Sequence, residues 1–122
     1  MTDVSFSSEQ KADLIKHAPK SSCCRRSMLY GILTAKGELI DGTVRLRVES
    51  ERTATFAAGL VHEFFGREAV ICVPPQGGRC REVGFRSTAA ARLVSDMLMD
   101  GRIVPPCKCA GCQAAYFQGT FL

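Results

Sequence analysis

Residues 24–48 read CRRSMLYGILTAKGELIDGTVRLRV, and a change of period inside this stretch decides the fold. From Cys24 to Lys36 the apolar residues Met28, Leu29, Ile32, Leu33 and Ala35 recur at helical spacing. Gly37 stands where a left-handed residue is expected to stop that helix. Beyond it the period falls to two. Leu39-Ile40 and Val44-Arg45-Leu46-Arg47-Val48 flank Asp41-Gly42, the strongest short-range signal for a hairpin. In the second strand Val44, Leu46 and Val48 point one way and Arg45, Arg47 and Glu49 the other, which predicts a sheet with one buried and one wet face.

The same reading extends in both directions. Upstream, Ser7-Ser8-Glu9-Gln10 offers a capping serine before a short amphipathic helix carrying Ala12, Leu14, Ile15 and Ala18, which Pro19 ends. Downstream, Glu51 to Phe65 is helical, with Ala54, Ala57, Ala58, Val61 and Phe65 on one side and Gly66 at its close. A second strand pair runs from Ala69 to Val73, through a loop containing Pro74, Pro75, Gly77 and Gly78, to Arg81 to Arg86. Thr88 to Met99 makes a further helix. The predicted order is α, α, β, β, α, β, β, α, the first helix being an extension. Strands joined by tight turns and separated by helices specify an α+β fold, an antiparallel sheet with helices on one face. Residues 1–22 are expected to be a helical extension, 23–100 one complete unit, and 101–122 a linker with the start of a second, truncated unit.

An internal echo supports that division. Cys24 is followed by Leu29 and Gly31, and Cys112 by Phe117 and Gly119, so both segments read C-x4-[LF]-x-G at one offset of 88 residues. A helix built from small and apolar residues such as Gly31 and Ala35 suits close packing against its equivalent, because a missing side chain lets backbones approach. The expected contact residues are Leu29, Gly31, Ala35 and Gly119. Their partner is either the carboxy-terminal helix or another molecule, the second case giving a homodimer through the motif helix.

Composition narrows the function. A chain of 122 residues, 46% hydrophobic and 23% charged, has the make-up of one globular domain. No run of about 18 apolar residues is present to span a bilayer, and the start MTDVSFSSEQ lacks the basic and apolar regions of a secretory signal. A cytoplasmic protein that does not engage membrane is expected. The net charge of +4 is a mild surplus that suits a phosphate-bearing partner without specifying one.

Seven cysteines without an export signal read as thiols or metal ligands rather than disulfides. Cys107, Cys109 and Cys112 form C-x-C-x2-C, which lacks the adjacent fourth ligand of a tetrahedral zinc site. If the two motif helices pack side by side, Cys23 or Cys24 approaches this cluster. The blander reading makes these cysteines compact hydrophobes at helix starts, and no metal or cofactor is assigned. His17 and His62 have no paired ligand at useful spacing, and no base is placed beside a cysteine for nucleophilic chemistry. Gly77-Gly78 reads as a turn rather than a phosphate-binding loop.

The run LYGILTAKG, Leu29 to Gly37, resembles the LAGLIDADG motif of homing endonucleases, matching at Leu29, Gly31, Ala35 and Gly37, and the α-β-β-α-β-β-α order is that family's unit. More narrowly, SFSSEQKADL, the CCRR before the helix and the closing CQAAYFQGTFL resemble the WhiA family of bacterial transcription regulators over nearly the whole chain. The resemblance implies two LAGLIDADG-like repeats followed by a helix-turn-helix domain, in a regulator of sporulation or cell-division genes. On that basis the chain is expected to be a piece of a longer regulator.

In the cleaving relatives an acid just before the final glycine of the motif recruits a hard cation, which needs oxygen ligands. Here that position is Lys36, which supplies none and repels metal. Glu38 is expected to lie beyond the helix, on the first strand. The resemblance therefore implies a non-catalytic protein whose sheet lies over duplex DNA, with Lys36, Arg45, Arg47, Arg81 and Arg86 as contacts to phosphate or guanine edges. Glu49 and Glu82 on the same face would weaken that field. The alternative is a protein-binding module, with DNA contact confined to the helix-turn-helix domain.

Overall fold

The computed structural model describes residues 8–75, 77–100 and 110–122. Five helices and four strands are assigned among them: α1 (Ser8–Lys16), α2 (Ser22–Lys36), β1 (Gly37–Ile40), β2 (Thr43–Val48), α3 (Glu51–Phe65), β3 (Val70–Cys72), β4 (Arg81–Phe85), α4 (Thr88–Asp100) and α5 (Ala110–Thr120). The strands form one antiparallel sheet in the order β1-β2-β4-β3. This is the expected α+β class.

Local chemistry explains most boundaries. Asp41 and Gly42 both adopt positive φ (51° and 78°), the backbone a two-residue hairpin turn requires, and the register Ile40 to Thr43 closes β1 on β2. The Ser50 side chain accepts from the Thr53 N–H at 3.3 Å to cap α3. Gly66 ends α3 in the left-handed region, its N–H donating to the His62 carbonyl at 3.1 Å. In α4, the Ala90 N–H donates to the Ser87 hydroxyl at 3.3 Å.

Two expectations need correction at α2. The helix starts at Ser22 rather than Cys24, so CCRR belongs to its first turns and not to the chain before it. Gly37 is extended (φ −72°, ψ 133°), not left-handed, although its N–H still donates to the Leu33 carbonyl. The chain passes from helix to strand without an intervening turn residue. Glycine is still required there for a different reason: a β-carbon would overlap the Leu33 carbonyl oxygen.

The core lies between the helices and one face of the sheet. Val44, Leu46 and Val48 of β2 and Val83 and Phe85 of β4 meet Met28, Leu29, Ile32 and Leu33 of α2 and Ala54, Ala57, Leu60 and Val61 of α3, all of them buried. Phe65 stacks on Phe85 with ring centroids 5.9 Å apart. α1 packs on α3, and Lys11, almost fully buried, forms a 2.8 Å ion pair with Glu49 just after β2. The CCRR run divides its labour. Arg25 grips Glu63 of α3 (Nη2 to Oε1 2.9 Å, with Nε also donating), and Arg26 lies over the Phe64 ring at 5.2 Å. No helix among the described residues is long and apolar enough to cross a membrane.

Candidate nucleic-acid interface and helix seam

Strand register decides which side chains share the open face. Directly opposed residues of an antiparallel pair point to the same side. Arg45 pairs with Glu38 and Gly84, and Arg47 with Glu82, so these residues lie opposite the buried Val44, Leu46 and Val48. Thr43 and Ile40 pair on the same side, as do Val70 with Gly84 and Cys72 with Glu82. Arg86 follows the buried Phe85 and is exposed. Its Nε donates to Thr43 Oγ1 (3.2 Å) and its Nη2 to the Asp41 carbonyl (3.1 Å), which anchors it over the hairpin turn. Thr43, Arg45, Val70, Cys72, Glu82 and Arg86 line one shallow hollow on this face.

Arg81 is not on that face. It pairs with Val48, on the helix side of the sheet, and its Nη1 donates to the carbonyls of Gly78 and Cys80, both at 2.8 Å. Arg81 and Arg86 are an odd number of positions apart, and in a strand odd separations point to opposite faces. The parity was available beside the buried Val83 and Phe85. Glu49, expected to oppose the arginines, is drawn to Lys11 instead. Glu38 takes its place, in register with Arg45, and Glu82 faces Arg47 as anticipated. The face thus carries Arg45, Arg47 and Arg86 interleaved with Glu38 and Glu82. Lys36 is half-buried at the last position of α2, and Glu38 is exposed on β1, beyond the helix.

On the other side of the molecule α2 and α5 make the most extensive contact between any two elements. A β-carbon on Gly31 would overlap the Tyr116 carbonyl oxygen and press on the Thr120 backbone; one on Gly119 would overlap the Met28 carbonyl oxygen and press on the Ile32 backbone. Tyr116 and Thr120 are the residues 88 places beyond Met28 and Ile32. The contacts therefore exchange under the same offset that relates Cys24 to Cys112, and the sequence echo is an approximate two-fold relation in space. The Tyr116 hydroxyl donates to Thr34 Oγ1 at 2.8 Å, adding a polar tie.

Of the four expected packing residues, Gly31 and Gly119 form the seam. Leu29 is buried in the core of the unit, and Ala35 is exposed, its counterpart under the offset falling one place past Leu122. The face of α2 expected to seek an equivalent helix is occupied by α5 of the same chain.

Three thiols gather at one end of this seam. The Sγ atoms of Cys23, Cys24 and Cys112 lie within 4.8 Å of one another, and Cys24 and Cys112 are 3.8 Å apart. Cys24 and Cys112 are buried; Cys23 is at the solvent edge, 3.3 Å from Ser21 Oγ. Cys107 and Cys109 lie outside the described residues. Side-by-side packing of the motif helices was the condition for Cys23 or Cys24 to approach the C-x-C-x2-C run, and in the structure both reach Cys112, the one member of that run among the described residues.

No protein-family model matches the chain. Among curated proteins it is similar to the probable cell division protein WhiA of Moorella thermoacetica, with 32% identity over an alignment of 126 residues. The alignment takes in 98% of this chain and 38% of that protein.

Proposed function

We propose that this chain is a WhiA-like regulatory domain in which a LAGLIDADG-like unit serves as a DNA-facing platform without cutting DNA. The similarity to a probable cell division protein supports the first part, and extends to little more than a third of that protein's length. The α2–α5 seam, whose glycine contacts exchange under the 88-residue offset, supports the LAGLIDADG-like reading, since that resemblance implies two repeats. The observation that carries the proposal is the sheet: one face packs on helices, and the open one presents Arg45, Arg47 and Arg86 from adjacent strands and the turn beside them. Arginines on a twisted open sheet can reach phosphates, with a salt-sensitive, sequence-independent component.

Cleavage is not part of the proposal. Lys36 stands where the motif needs an acid, and the nearby Glu38 lies on the open sheet face, in register with Arg45. Supercoiled plasmid incubated with the protein and magnesium should remain supercoiled. Titration of a labelled duplex at low salt should give binding that weakens steeply as salt rises; a flat anisotropy trace into high micromolar protein overturns the DNA reading.

A specific observation favours a second reading. Glu38 and Glu82 sit in register with two of the arginines, and Ile40, Val70 and Cys72 share their face. Alternating charge with apolar patches suits a protein partner better than a polyanion. Retention of a partner from extract after nuclease treatment, lost with Arg45→Glu, would decide for it.

A further inference from the structure

We propose that Cys23, Cys24 and Cys112 form a thiolate site for zinc, which pins the start of α5 to the start of α2. Two sulfur ligands at about 2.3 Å from a tetrahedral zinc stand about 3.8 Å apart. The Cys24–Cys112 separation is 3.8 Å, and the third sulfur lies within 4.8 Å of both, so ligation needs only a small closure. A set of three sulfurs selects a soft or borderline cation, and a hard one such as magnesium is disfavoured.

The position also suits anionic ligands. Cys23 and Cys24 fall in the first turn of α2 and Cys112 in the first turn of α5. The two helices start side by side, and the positive ends of both dipoles offset the negative charge that three thiolates accumulate. Arg25 does not do this work, because its guanidinium is held by Glu63. Cys23 marks the solvent side, where a water or a further ligand completes the tetrahedron. The site makes the seam metal-dependent, and it stands or falls independently of any DNA contact.

The test uses the whole chain, stripped by chelator, kept in a non-thiol reductant and titrated with cobalt(II). One equivalent should bring up the near-ultraviolet sulfur-to-cobalt band and the visible bands of tetrahedral geometry, both erased by zinc. Cys23→Ser, at the solvent edge and outside the glycine contacts, should weaken metal affinity by about tenfold or more while the far-ultraviolet spectrum stays unchanged. Zinc should raise the melting midpoint of the wild-type chain and not of Cys23→Ser. Cys80→Ser, on another part of the fold, should bind as wild type does. Absence of the thiolate band overturns the proposal. So does a band that survives Cys23→Ser and Cys24→Ala but is lost in the Cys107→Ser, Cys109→Ser double variant, since the metal would then sit in the local motif and bridge nothing.

Discussion

Gly31 lies against the Tyr116 carbonyl as Gly119 lies against the Met28 carbonyl, and each glycine is the other's counterpart 88 residues away. Neither position has room for a β-carbon, so Gly31→Ala and Gly119→Ala should each force the helices apart. Overpacking of this kind costs about 1–3 kcal/mol. Because the two contacts form one seam, the double variant should lose less than the sum of the single losses. Urea denaturation followed by circular dichroism reads all three. Unchanged stability in both single variants would mean that the seam does not hold.

The same symmetry is broken where the rest of the fold intervenes. Leu29 is fully buried, while its counterpart Phe117 is 63% exposed; Leu33 is fully buried and Phe121 is 37% exposed. In α2 these residues face the sheet and α3, and no described element covers the matching face of α5. Leu29→Ala should therefore destabilise by about 2–5 kcal/mol, whereas Phe117→Ala should stay within about 0.5 kcal/mol. Thermal or urea melts of the pair separate the two cases. A large loss from Phe117→Ala would reveal a covering partner.

How far the residues alone foretold this arrangement depended on how local each signal was. The helix from Glu51 to Phe65, its Gly66 stop and the Asp41-Gly42 hairpin rest on propensities confined to a few neighbours, and they appear where the pattern put them. The α2–α5 pairing was visible as an echo, but whether the partner was this chain or another depends on tertiary packing. Gly37 was misread because two constraints select glycine, positive φ and close approach, and the sequence does not distinguish them. Arg81 was placed on the wrong face although parity alone located it. Glu38 opposite Arg45 follows only from strand register, whereas the approach of Cys23 and Cys24 to Cys112 could be stated from the sequence on the one condition that the motif helices align side by side.

Ser27 is fully buried in α2, and its hydroxyl has no hydrogen-bond partner among the described residues. A desolvated hydroxyl without a partner destabilises the folded state, and alanine is the better helix former. Ser27→Ala should therefore raise the unfolding free energy by up to about 1 kcal/mol, against the usual direction of core substitutions. A loss of similar size in the same urea assay would show that the hydroxyl is satisfied in solution.

Arg25 and Glu63 tie the first turns of α2 to the end of α3, with side-chain exposures of 27% and 38%. Solvent screens such a pair, so the fork geometry, rather than charge alone, sets its worth. A double-mutant cycle with Arg25→Met and Glu63→Gln should return a coupling of about 0.5–1 kcal/mol that shrinks as salt is added. Coupling indistinguishable from zero at low salt would reduce the contact to a surface coincidence.

Arg47 and Arg81 provide the sharpest contrast for the DNA reading, because both are arginines on neighbouring strands and register sends them to opposite faces. Arg47→Ala removes a cation from the open face, so it should weaken duplex binding similarly across unrelated sequences and lower the slope of log affinity against log salt by about 1. Arg81→Ala removes a cation whose guanidinium is engaged by the Gly78 and Cys80 carbonyls, and should leave both affinity and slope unchanged. Equal losses from the two variants would mean that net charge, not the sheet face, governs binding. A loss from Arg81→Ala alone would move the interface to the helix side of the sheet.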